Sequence, residues 1–436
     1  MRIDPKMPLV ITLIAILFAA CKKNTVTEEI KSETSVVLPI TNPIAPATPV
    51  ATAPSYEVGS GSGYLTIDGK SLDLSSIKLI KVKSGTYKGI YIKNIIGTPT
   101  IPVKIVNNGQ VNISEGMETD NINYVQLAGD GTPSLKYGFI FENIPFRAIK
   151  MSSRILGITI RNMSFKNVFD YCIAGEKSNG ELSYTGSADT RNENLKILYC
   201  NFDNTGSIVF NGALNKDASE DLGLFKDVEV AYNTFQNTDA GTLCSFGNVQ
   251  DYNIHHNVVN NINQNNTNHN GVFYMQGSGI FHHNKLTNYQ GNAIRMWLYS
   301  RGTTPTTVEI YNNVCYNTKK YGGFELQAFD RNKYPGKTTF ANAKVYNNTV
   351  GRMNTNKDWE GQILDLYNTG GTLEFYNNLG FDLYHNGLSI TGMINNMSDT
   401  KIIKETNNKY FASQQDAVLD LNSFTSKVTG IGAPFF

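Results

Sequence analysis

Three charged residues stand alone in short apolar runs: Arg295 in Ile294-Arg-Met296, Glu325 in Phe324-Glu-Leu326 and Asp365 in Ile363-Leu-Asp-Leu366. An apolar residue on either side of a charged one is the period-two pattern of a strand with one buried face, which sends the charge outward. In the Asp365 run the phase is open by one residue. Stacked on successive strands, the two carboxylates would lie about 5 Å apart, a separation at which one carboxyl serves as acid and its partner as nucleophile or stabiliser. An adjacent guanidinium would neutralise a uronate carboxylate. It could also assist β-elimination from a uronic acid, in which a base removes the C5 proton and positive charge stabilises the enolate. The structural alternative is an inter-rung salt bridge on a solvated sheet face, with Arg295 pairing the carboxylates.

The residues around this trio suit a sugar, which offers an apolar ring face and many hydroxyls. Trp297 follows the Arg295 strand, Phe329 and Arg331 follow the Glu325 strand, and Asp358-Trp-Glu360 precedes the Asp365 strand, so both tryptophans fall beside one face. The preceding strands Leu243-Cys-Ser-Phe246 and Phe273-Tyr-Met275 add Ser245 and Tyr274 to the same column. Tyr274, Trp297, Arg331 and Trp359 are therefore the candidate substrate-binding residues, with Arg295, Glu325 and Asp365 as the candidate catalytic ones. The alternative for the tryptophans is that they cover strand ends.

This alignment rests on a repeat. Val230-Ala-Tyr-Asn233, Ile254-His-His-Asn257, Phe281-His-His-Asn284, Ile310-Tyr-Asn-Asn313, Val345-Tyr-Asn-Asn348 and Phe375-Tyr-Asn-Asn378 share one pattern, with asparagines 24 to 35 residues apart. Such a period marks stacked units too small to bury their own apolar faces. Gly291-Asn-Ala-Ile-Arg-Met-Trp297, Val308-Glu-Ile310 and Val314-Cys-Tyr316 give three strands per turn, rising about 4.8 Å per rung. An Asn at the same bend of every turn can stack into a ladder, its amide donating to one backbone and accepting from the next, while tolerating a left-handed bend conformation. No long amphipathic helical pattern interrupts the strands, so the chain is all-β.

The Asn-bearing turns over roughly residues 110 to 410 resemble the right-handed parallel β-helix superfamily, the pectate-lyase-like group. That resemblance implies a single-stranded parallel β-helix with three strands per turn. Within it, Asn284-Lys-Leu-Thr-Asn-Tyr-Gln-Gly291-Asn-Ala-Ile-Arg295 is similar to the Asn-turn, Gly, strand-Arg stretch of the chondroitinase-B and alginate-lyase group, which implies a catalytic role for Arg295. Where that group carries a lysine on the preceding rung, this chain has Tyr274-Met-Gln276. The paired aspartates and Gly-His-Gly of polygalacturonase-type hydrolases are absent from the sequence.

Residues 1–20 pair a short charged lead containing Arg2 and Lys6 with the apolar run Leu9 to Ala20, too short to be read as a membrane span and proportioned as a secretory signal. Leu17-Phe-Ala-Ala-Cys21 resembles the lipobox of bacterial lipoproteins, which implies lipidation at Cys21 and an envelope, outer-membrane address. Residues 21–63, with Pro39, Pro43, Pro46, Pro49 and Pro54, read as a disordered tether. Residues 64–110 are expected to form an N-terminal β cap, 111–410 the coil, and 411–436 a C-terminal cap lying across the open end.

The net charge of +1 leaves no basic nucleic-acid footprint, and a monomer is expected. Cys172, Cys200, Cys244 and Cys315 lack CxxC spacing; buried free thiols are the favoured reading, with a disulfide between rungs as the alternative. His255-His256 and His282-His283 stack by register. Their column continues as Tyr311, Tyr346 and Tyr376, which reads as a ring ladder rather than a metal site, because no carboxylate or thiolate completes a ligand set. No cofactor is implied, and Ca2+ in a lyase-like cleft stays open because no DxDxDG loop is present to decide it.

Overall fold

The computed structural model describes residues 54–385, 388–389, 393–398 and 400–434. The expected signal segment, Cys21 and most of the expected tether lie outside the described residues. Short runs of Ile, Val, Phe and Leu alternating with polar residues form strands that bury one face each. Every long-range pairing of the principal sheet is parallel, so each strand hydrogen-bonds to the strand one turn earlier and one turn later. Three parallel stacks result. One runs through Leu156–Arg161, Asn192–Leu198 and Phe225–Ala231. The second runs through Met163–Val168, Asn201–Thr205 and Thr234–Thr238. The third runs through Cys244–His255, Gly271–His282, Asn292–Leu298, Phe324–Gln327 and Leu364–Leu366.

Inside the coil, equivalent residues of successive turns lie on one another. Phe141, Phe165, Phe202 and Phe235 stack at 4.6–5.0 Å between ring centres. This is the inter-rung spacing, so the ring ladder follows from the strand ladder.

Asn233, Asn257, Asn284, Asn313, Asn348, Asn378 and Asn408 form a second internal ladder, with amide-to-amide distances of 3.0–3.1 Å. Each Nδ2 also donates to the backbone of the rung before, as Asn257 does to the Val230 carbonyl at 2.8 Å. The left-handed conformation falls one residue earlier than expected. Tyr232, His256, His283, Asn312, Asn347 and Asn377 have φ of 50–58°, and the ladder asparagines themselves do not.

Two boundaries differ from the sequence expectation. Tyr56–Val58 and Ser62–Asp68 already pair in parallel with Leu79–Ile96, so coil begins within the segment expected to be tether, and residues 64–110 are rungs rather than a separate cap. Their side chains Leu65, Ile67, Ile80 and Val82 belong to the continuous core, which is why they are ordered. Residues 411–434 do not lie across the open end. They run back along the flank, where Ala417, Val418, Phe424 and Ile431 cover Val314, Leu379 and Phe381. Lys285 Nζ donates to the Asn422 carbonyl at 2.7 Å, and the Ala433 N–H donates to Thr349 Oγ1 at 2.9 Å. Ala417, Val418, Phe424 and Ile431 thus find an apolar strip on the side of the stack. Among the described residues no helix is long and apolar enough to cross a membrane.

Candidate functional site

The third stack sets Ser245 against Tyr274, Tyr274 against Arg295, Arg295 against Glu325, Glu325 against Asp365 and Asp365 against Asn395. The open phase at Asp365 is settled by Leu364 and Leu366, which pair with Phe324 and Leu326 inside the core and leave Asp365 on the outer side.

At Glu325 and Asp365 the column leaves the coil but does not reach solvent. Glu325 is 0% and Asp365 1% exposed, whereas a solvated face was expected. The reason is a roof built from connecting segments. His269, in the loop before Gly271–His282, places Nε2 2.7 Å from Glu325 Oε2. Arg295 donates through Nε to Glu325 Oε1 at 2.8 Å and through Nη1 to the His269 carbonyl at 2.9 Å, tying strand to loop. Gln327 Nε2 donates to the same Glu325 Oε1. Asn292, fully buried, donates to Asp365 Oδ2 at 3.0 Å and lies 3.2 Å from His269 Nε2 through Oδ1. Gly322 makes room for this bend of the Asp365 side chain: a Cβ there would stand 2.9 Å from Asp365 Oδ2.

The two carboxyls are held in opposite states. Burial alone would raise the pKa of Glu325; the His269 hydrogen bond and the Arg295 charge outweigh it and keep this group below the usual carboxylate range. Asp365 has no cation. Burial, then the charge of Glu325, push it up to about 7, and the hydrogen bonds from Asn292 and Asn395 offset only part of that rise. Near neutral pH Glu325 is thus ionised while Asp365 is only partly so, the kind of difference that separates an acid role from a base role.

Ring systems flank the column along the strand direction. Downstream, Trp297 pairs with Gln276 and Gln327. Tyr274 meets Trp297 edge-on at 5.3 Å, Phe329 lies 4.5 Å from it, and the Arg331 guanidinium covers both Trp297 and Phe329 at about 5 Å. Upstream, His269 stacks on Tyr321 at 4.2 Å and 10°, and Trp359 is 42% exposed 6.2 Å beyond Tyr321. The sequence-predicted residues are therefore brought together, with Trp297 and Trp359 on opposite sides of the column. His269, Asn292 and Tyr321 were missed. Their signal was weak: a lone histidine two residues before a strand, and an Asn and a Tyr just ahead of two others.

The histidine pairs stack as the register requires, His255 on His282 at 4.9 Å and His256 on His283 at 4.9 Å, and the first column continues through Tyr311, Tyr346 and Tyr376. Burial lowers the pKa of His282 to about 3, with the neighbouring imidazoles adding to the effect. Among the described residues no group of three or more His, Cys, Asp or Glu is placed to hold a metal ion. Cys172, Cys200, Cys244 and Cys315 are free and buried, and burial pushes the thiols of Cys200 and Cys315 up to about 12.

No protein-family model matches the chain, and no curated protein matches it. Among solved structures it is similar to a PL6 family polysaccharide lyase from Pseudopedobacter saltans, with 12% identity and a TM-score of 0.45 over 87% of this chain and 98% of that one. It is also similar to the catalytic domain of a GH87 α-1,3-glucanase in complex with nigerose, with 13% identity and a TM-score of 0.29 over 72% of this chain and 61% of that one.

Proposed function

We propose that the protein is an exported, lipid-anchored monomer of the bacterial outer membrane that acts on polysaccharide, with His269, Arg295, Glu325 and Asp365 as its reaction centre. The observation that carries this reading is the unequal surroundings of two buried carboxyls on adjacent rungs, Glu325 clamped by Arg295 and His269 and Asp365 bonded to Asn292 and Asn395. A column serving stability alone has no use for an uncompensated carboxyl beside an ion pair. Glu325 and Asp365 are sealed, which disfavours either as a nucleophile on a sugar carbon. His269, its side chain 30% exposed, is the group within a substrate's reach. Proton abstraction by His269, oriented by Glu325, with Arg295 neutralising developing charge, fits β-elimination better than hydrolysis.

Trp359 would stack one sugar face, and Trp297, Tyr274 and Arg331 the next. No cofactor is needed. The winding is taken as right-handed, the hand favoured for parallel crossovers. Anchoring rests on Leu17-Phe-Ala-Ala-Cys21 and is tested by the mass of the mature N-terminus.

One observation favours a second reading, a non-catalytic glycan-binding coil: the carboxyls lie under a closed roof. Incubation of the mature protein with uronic-acid and neutral polysaccharides, following the absorbance of unsaturated ends and the appearance of reducing ends, separates the two. Turnover that falls at least about 100-fold in His269→Ala, as expected for loss of a general base, supports the enzyme. Absence of turnover on every substrate with retained migration shifts in affinity gels supports the binding protein.

A further inference from the structure

The outward column that ends in Arg295, Glu325 and Asp365 extends through the whole third stack, and its opposite end has a different character. Thr66 pairs with Tyr91, Tyr91 with Glu118, Glu118 with Lys150 and Lys150 with Ala174. Ala174 then pairs with Val209, and Val209 with Ser245, which leads to Tyr274. At the first rungs large rings stand in solvent: Tyr64 is 56% exposed, Tyr91 39%, Phe146 52%, Phe169 70% and Tyr171 39%. Single exposed rings are ordinary, but a contiguous set on successive rungs marks a binding surface.

Two of these rings, Tyr91 and Phe146, wall a hollow of about 160 Å³ together with Glu118 and Arg147, floored by Gly89 and Gly116. Its parts are fixed. Tyr64 lies 6.1 Å from Tyr91 and donates to Glu115 at 2.6 Å. The Arg147 guanidinium is held between the rings of Phe146 and Tyr171, at 4.8 and 5.4 Å, and bonded to Asp170 and Glu176 at 3.1 and 2.6 Å. Lys150 is paired with Glu118 at 2.9 Å.

We infer that this platform is a second carbohydrate-binding site, which holds an uncharged polysaccharide chain along the coil axis by stacking its sugars on Tyr64, Tyr91, Phe146 and Tyr171. Flat rings take the apolar sugar faces, and the already paired groups offer hydrogen bonds to hydroxyls, with the carboxylates Glu115, Glu118, Asp170 and Glu176 outnumbering Arg147 and Lys150 and so leaving no positive charge to attract a polyanion. The acidic residues among the rings argue against an anionic bilayer as the occupant. The inference rests on the polysaccharide reading, and it holds whether or not the distant column is catalytic.

The test measures binding of dextran, laminarin, xylan and polygalacturonate, and of vesicles containing phosphatidylglycerol, to the full-length mature protein, to Tyr91→Ala/Phe146→Ala and to His269→Ala. Both platform side chains are exposed, so the double variant should keep the wild-type melting temperature; Tyr171→Ala provides an independent ring. A neutral glucan or xylan bound by wild type and His269→Ala, and at least about tenfold more weakly by the platform variants, supports the proposal, as loss of stacking anchors predicts. Neutral-glycan binding unchanged in the platform variants overturns the platform alone. Absence of glycan binding by wild type overturns both this inference and the polysaccharide reading. Platform-dependent binding of polygalacturonate or vesicles instead of neutral glycans overturns the assigned ligand.

Discussion

Two columns of polar side chains run along this coil and solve the same stacking problem in opposite ways. In the asparagine ladder every rung carries the same residue, and every amide both donates and accepts, so each member from Asn257 to Asn378 has the same partners as the last. In the outer column every rung differs: Tyr274, Arg295, Glu325, Asp365 and Asn395 follow one another, with charge balanced across rungs and by a loop histidine. Identity from rung to rung is what register needs. Variation from rung to rung, with one carboxyl left without a cation, is what a site needs, and it concentrates cost at particular residues.

The sharpest way to break the contrast is at Arg295. Replacement by Met should destabilise the protein by about 3–5 kcal/mol, because the sealed Glu325 carboxylate loses a partner it cannot replace with water. Chemical denaturation measures this, and Arg295→Met/Glu325→Gln should recover most of the loss. Recovery in the double variant identifies the unpaired charge, rather than lost packing, as the cause.

Next in size is the ladder. Asn313→Ala should cost about 2–3 kcal/mol, since the Phe281 carbonyl and the Asn284 N–H lose their buried partner. Asn284→Ala should cost the same within error. Unequal costs along the ladder would remove the distinction between the two columns.

The smallest effect is a pH dependence. The folded state holds the Asp365 proton up to about 7, whereas an unfolded carboxyl releases it near about 3.9. Between these values the fold binds more protons than the unfolded chain, so the stability linked to Asp365 is complete below about 3.9 and is lost as pH rises towards 7. Asp365→Asn should flatten that slope, raising the melting temperature relative to wild type by a few degrees at pH 8 and not at pH 4.5. A parallel pair of melting curves would show that Asp365 does not titrate in this range.

The ladder and the register of the outer column were both legible in the sequence, for one reason: Phe324-Glu-Leu326 and Ile294-Arg-Met296 alternate with the strand period, and the asparagines count the turns. Burial of Glu325 was not legible. It depends on a roof of loops, and loops carry no period that could bring His269 over a strand two rungs away. The conformational detail of the bend was also out of reach, because His256 and Asn312 occupy the left-handed region in the same place, and neither residue type alone announces it. At the N-terminal end, Pro54 and the glycines near Tyr56 suggest tether, yet three residues suffice to add a strand to an existing edge.

The C-terminal strap changes how such a molecule can come apart. A stack of rungs touching only their neighbours should fray one turn at a time from its last edge. Here Lys285 is bonded to Asn422, and Thr349 to Ala433, across 137 and 84 residues of chain. The final turns are thus bound to turns formed well before them, and they must open together or not at all. On the ribosome the same bonds wait for Asn422 and Ala433 to emerge. The downstream end of the coil, with the roofed column inside it, becomes a cooperative unit only once this strap has been made.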